Sequence, residues 1–214
     1  MDKKSIINHL IQRHHKFGQY VDDFSKEDFE LSRKNKWSAG QDLGHILKSI
    51  KPLSNILSNK ELIATKFGNG NGISSDYESL VSRYKDKLAE GGIALGQFVP
   101  EKISWDRKAD LLGQLHELTE KITESLQRYT EEELDELLLP HPLLGLLTVR
   151  EMLYFTNYHV EHHQNNISRN LKSVVNTMRK CINTHYTLIV SISHHFYLLT
   201  CGQLTETKYL RLLS

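Results

Sequence analysis

Residues 148–167 read Thr148-Val-Arg-Glu-Met-Leu-Tyr-Phe-Thr-Asn-Tyr-His159-Val-Glu-His-His163-Gln-Asn-Asn-Ile167. At about 100° per residue, a helix puts Val149, Met152, Phe155, Thr156, His159, Val160, His163 and Ile167 on one face. Tyr158, Glu161, Asn165 and Arg169 fall away from that stripe. Thr148 and Glu151 have capping-box spacing, and Leu147 with Met152 fits a hydrophobic staple, so the helix starts at Thr148 and is expected to run to about Leu171. His159 and His163 are four apart and share the apolar stripe, so their rings sit on neighbouring turns. Burying two imidazoles without partners costs on the order of 1–3 kcal/mol each. Two arrangements meet that cost: a shared metal ion, or hydrogen bonds to hydroxyls and carbonyls across a helical core.

Working back toward the N-terminus, three more helices of the same kind appear. From about Lys4 to Phe24, Ile6, Ile7, Leu10, Ile11, Phe17, Val21 and Phe24 follow the helical period. After Trp37, Ser38-Ala-Gly-Gln41 is a second capping box, followed by a stripe of Leu43, Ile46, Leu47, Ile50, Leu53 and Leu57. Pro52 is expected to kink or partly break that helix. A further helix from about Asp106 to Tyr129 carries Leu111, Leu112, Leu115, Leu118, Ile122 and Leu126. Between Lys60 and Ser75 the run Gly68-Asn-Gly-Asn-Gly72 reads as a loop, and Ser75 to Glu78 caps a shorter helix ending near Gly91 and Gly92. Thr130 to Glu133 opens a short helical turn that Pro140 and Pro142 stop. Alternation of strand type is confined to Thr187–Ile192. The fold class is therefore all-α, a four-helix bundle.

Composition narrows the partners. Lys and Arg (27) nearly balance Asp and Glu (26), leaving a formal charge of +1 and no global field for nucleic acid or an anionic membrane. The two cysteines, Cys181 and Cys201, form no metal-binding or redox spacing, and a reducing, cytoplasmic setting is expected. Tyr186–Thr200, the longest apolar-rich run, is broken by Ser191, Ser193, His194 and His195 and falls short of the ~20 residues of a spanning helix. Histidine is frequent, at 12 residues. A third ligand is not chosen by periodicity: His14 is central on the first helix, while His45 and His116 lie on the flanks of theirs. His9, His15, His141, His162, His185, His194 and His195 read as surface, loop or tail residues.

Trp37-Ser-Ala-Gly-Gln-Asp-Leu-Gly-His45, then His141-Pro-Leu-Leu-Gly-Leu-Leu-Thr148-Val-Arg-Glu151, then Tyr158-His159-Val-Glu-His-His163-Gln-Asn-Asn-Ile167, taken in that order, resemble the DinB-like superfamily, which includes YfiT-like metal-dependent hydrolases. The resemblance covers residues 1 to about 170. It implies a four-helix bundle with a long crossover connection, to which residues 59–75 contribute, and a metal triad of His45, His159 and His163 in place of the wheel's His14. Three imidazoles leave a coordination position open, as in catalytic zinc sites, and suit zinc or nickel, with iron a third choice. The implied function is a metal-dependent hydrolase or a low-molecular-weight-thiol S-transferase acting on a small molecule, without nucleic-acid or membrane partners. The competing class is a non-catalytic helical binding or dimerisation module.

Several residues around the triad carry two readings each. Asp42, one turn before His45, is the nearest carboxylate to serve as a base, or a solvated first-turn acid that favours the helix start. Trp37 is a pocket wall or a local packing residue. Tyr154 and Tyr158 orient a substrate or fill helix interfaces. From His162 to Thr205 there is no Asp or Glu, so residues 171–214 read as a C-terminal extension. It is either a docking or homodimerisation element, or a tail altered by frameshift or read-through.

Overall fold

The second bundle helix begins as its capping box dictates. Ser38 takes the Gln41 amide proton at 3.2 Å, and the Gln41 side chain accepts from the Ser38 amide at 3.1 Å. Two amide groups that a helix start leaves without partners are thereby satisfied. Ser38→Ala removes one side of this pair and is expected to lower unfolding stability by about 1 kcal/mol, measured by chemical denaturation; an unchanged midpoint would show the cap to be dispensable.

A computed structural model describes residues 1–33, 36–94 and 96–192, with backbone alone for 174–192. The chain divides into two compact units, Met1–Leu171 and Lys172–Ser214. The first contains α1 (Lys3–Asp22), α2 (Lys26–Glu30), α3 (Ala39–Ile56), α4 (Lys60–Phe67), α5 (Tyr77–Ala89), α6 (Lys108–Gln127) and α7 (Glu131–Glu136). A two-stranded hairpin, β1 (Leu138–His141) and β2 (Gly145–Thr148), then leads into α8 (Val149–Ile192).

The four bundle helices are α1, α3, α6 and the first part of α8. α1 packs on α6 and α3, and α3 packs on α6. α8 joins them through Asn157, which donates to the Ile6 carbonyl of α1, and through the histidines described below. The shared core holds the apolar stripes of the sequence: Ile6, Leu10, Phe17 and Val21 of α1 and Leu43, Ile46 and Ile50 of α3 meet Leu115, Ile122 and Leu126 of α6 and Leu153, Val160 and Ile167 of α8. Leu112 and Leu118 are only partly buried at its edge. Residues 57–107 form the crossover from α3 to α6.

α3 continues through Pro52 to Ile56, so the partial break is absent there. Three other local expectations are corrected. Half of the supposed loop after Lys60 is helical, because Asn59 caps α4 by accepting from the Leu62 amide at 2.9 Å. Residues 138–148 form an antiparallel hairpin, in which Leu139 pairs with Leu147 and His141 with Gly145. Leu139 and Leu147 are buried, and Gly145 turns the chain at φ +75°, a region open to glycine at little cost. Finally, α8 does not stop near Leu171, and Thr187–Ile192 is helix rather than strand. Residues 193–214 lie outside the described part, with Cys201, His194, His195 and the rest of the apolar run that ends at Thr200. Among the described residues no helix is long and apolar enough to cross a membrane.

The start of α8 is as its sequence requires. Thr148 accepts from the Glu151 amide at 3.1 Å and Glu151 accepts from the Thr148 amide at 3.0 Å, closing the capping box that starts this helix.

Candidate metal centre

α3 and α8 bring His45, His159 and His163 to one point inside the bundle. Each ring is buried, at 6%, 3% and 5% exposure. The Nε2 of His159 lies 3.1 Å from the Nε2 of His45 and 3.1 Å from that of His163. One ligand atom from each residue fits within a mutual separation of 4.8 Å. Imidazoles on a tetrahedral zinc ion sit about 2.0–2.1 Å from the metal, which places their nitrogens about 3.4 Å apart.

The far sides of two rings settle which nitrogens face inward. His45 Nδ1 donates to the Phe98 carbonyl at 2.7 Å, and with Asp42 ionised His163 Nδ1 donates to its Oδ1 at 2.5 Å. A neutral imidazole has one donor nitrogen and one acceptor nitrogen. Both Nε2 atoms therefore present lone pairs to His159, whose own Nε2 can give a proton to only one of them. At least one buried lone pair stays unsatisfied, at a cost of about 1–3 kcal/mol. Adding a proton does not resolve this. Burial first, then the neighbouring His163, pulls His45 down to about 4; burial alone takes His163 to about 3, and burial followed by its histidine neighbours takes His159 well below the usual value. Three neutral rings with converging lone pairs are what a divalent cation requires of its ligands, so the residues present fit the ion.

Supporting groups surround the rings. A strap from the crossover lies over α3, where a Cβ on Gly44 would collide with Ile103 Cδ1. The strap supplies the Phe98 carbonyl to His45, and Lys48 of α3 holds it by donating to the Val99 carbonyl at 2.9 Å. Trp37 stacks near-parallel on His163, with centroids 6.0 Å apart and an 11° tilt, and touches His45 at 4.9 Å. It is a wall of the site and not merely a local packing residue. Phe155 stacks on His159 at 4.7 Å, and Tyr84 of α5 meets His159 edge-on at 6.3 Å.

The other candidates fall elsewhere. His14 is buried, but its Nδ1 bonds the Leu10 carbonyl of its own helix at 2.8 Å, and it joins no ligand group. His116 is exposed. His141, expected at the surface, is buried with its ring 4.2 Å from Phe155, and its Nδ1 accepts from the Leu143 and Leu144 amides, closing the hairpin turn. Asp42 is not a solvated first-turn acid. It is 2% exposed, its second oxygen has no partner, and burial raises it to about 7 against the opposing pull of His45. Glu161 pairs with Arg13 at 3.1 Å, away from the triad. Tyr154 bonds the Met1 backbone and fills an interface, and Tyr158 packs on Tyr84 and His162.

No curated protein and no solved structure matches the chain significantly. The family model described as the DinB superfamily matches residues 9–167, which reach into all four bundle helices and include all three histidines. With most of its length matched, an all-helical bundle and a buried three-histidine group in the expected place, the chain belongs to the DinB superfamily.

Proposed function

We propose that His45, His159 and His163 hold one divalent metal ion, zinc or nickel before iron, and that the site serves a metal-dependent reaction on a small molecule, either hydrolysis or transfer to a low-molecular-weight thiol. The observation that carries the reading is the convergence of three Nε2 atoms, two of which are left as lone pairs by the hydrogen bonds behind them. Held by three neutral ligands, the ion would supply Lewis acidity toward an incoming water or thiol. The chain's own part is to keep the rings deprotonated through burial, to fix their tautomers, and to wall the site with Trp37, Phe155 and Tyr84.

Elemental analysis of the purified full chain is the first test, with about one equivalent of metal expected. Absence of binding after incubation with excess Zn2+ and Ni2+ would end the reading. The second test is thiol and ester turnover against a panel of electrophiles, with and without a chelator. Chelator-sensitive turnover is expected. Bound metal without any turnover would instead support a helical module with a structural ion.

A further inference from the structure

The three rings are held from behind by different means. His45 leans on a backbone carbonyl, His159 on the face of Phe155, and His163 alone on a carboxylate. That carboxylate comes from a different helix, 121 residues away in sequence, and from the same face of α3 that supplies His45. Asp42 is nine-tenths buried and more, yet has a hydrogen-bond partner on only one of its two oxygens. Burying a carboxylate with so little compensation is unfavourable, so its placement is poor as a device for stability alone. Beside a cation held on the other nitrogen of the same imidazole, it becomes favourable, as in other carboxylate–histidine–metal arrangements.

We infer that Asp42 is the positioning residue of the centre: it holds the His163 ring with the Nδ1 proton turned outward, so that the Nε2 lone pair faces the ion. This rests on the metal-binding reading above. Without an acceptor behind it, His163 is free to turn or to carry its proton on Nε2, and in that tautomer the inward nitrogen has no lone pair to give. Trp37 keeps the ring plane through its stacking but offers nothing that selects the tautomer.

The test compares the unmodified full chain with Asp42→Ala and Asp42→Asn. In the metal-free proteins, 1H–15N spectra of the imidazole side chains report the tautomer directly. His163 is expected as Nδ1–H in the unmodified chain and in Asp42→Asn, whose amide oxygen still accepts, and as Nε2–H or a mixture in Asp42→Ala. Zn2+ affinity, measured by competition with a chromogenic chelator, is expected to fall about 10–100-fold in Asp42→Ala, with Asp42→Asn between the two. Unmodified affinity in Asp42→Ala, or an Nδ1–H tautomer kept there, overturns the inference. If Asp42→Ala does not fold by circular dichroism, Asp42→Leu, which fills the space without offering an acceptor, takes its place, and unmodified affinity or a retained Nδ1–H tautomer there overturns the role. An unmodified chain that binds no Zn2+ sinks this inference together with the metal reading, whereas binding that is indifferent to Asp42 sinks this one alone.

Discussion

His159→Ala is expected to weaken metal binding more than any other single change in the bundle. His159 is the middle member of the group, with its Nε2 3.1 Å from each of the other two, so its loss removes one ligand and also the atom that the other two face. Structural zinc in small peptides binds with about 10–16 kcal/mol over four ligands, or roughly 2.5–4 kcal/mol for each. At about 1.4 kcal/mol per decade, that is a fall of about 10²–10³-fold in affinity. Titration with Zn2+ in the presence of a competing chelator measures it. A variant that holds Zn2+ as firmly as the unmodified chain would remove His159 from the ligand set.

The largest effect on stability is expected at Phe29, under the start of α3. Its ring is fully buried, meets Trp105 edge-on at 5.8 Å, and lies so close to α3 that a Cβ on Gly40 would come within 2.7 Å of it. Phe29→Ala should cost about 3–5 kcal/mol, since a rigid bundle closes such a cavity only in part. Gly40→Ala alone drives a methyl into the ring and should be destabilising by about 1–3 kcal/mol, despite the better helix propensity of alanine. Combined, the new methyl occupies space that the ring has left. The double variant is therefore expected to be less damaged than the sum of the singles, by about 0.5–3 kcal/mol. Denaturation midpoints of the four proteins measure this, and strict additivity would show that the two positions do not share that space.

How far the site could be read from sequence depends on how far apart its partners lie. Ser38 with Gln41 and Thr148 with Glu151 are three residues apart, so both helix starts were legible, and the spacing of His159 and His163 placed their rings together. His45 was not chosen by periodicity. His14, more central on its stripe, satisfies itself on the Leu10 carbonyl one turn back and so needs nothing from across the core. The flank of α3, by contrast, is where the strap's carbonyl reaches His45. Only the family resemblance selected it.

Asp42 was open to two readings because a carboxylate in the first turn of a helix has a sufficient local reason to be there. Its partner on α8 has no signature in the neighbouring sequence. The hairpin was missed because its strands are four residues long and contain Pro140, whose residue is exposed and has no amide to spend on a ladder. In the same way the Gly and Asn residues of 68–72 masked the Asn59 cap and the helix behind it.

The hold on His45 has a consequence for how this chain can vary. Because residue 98 contributes its peptide oxygen, replacing the phenyl group leaves that acceptor in place, and many side chains can stand there without touching the ligand's tautomer. Adding or deleting one residue between 96 and 103 would instead slide every carbonyl past the imidazole. The strap is thus tolerant of changes in composition and intolerant of changes in length.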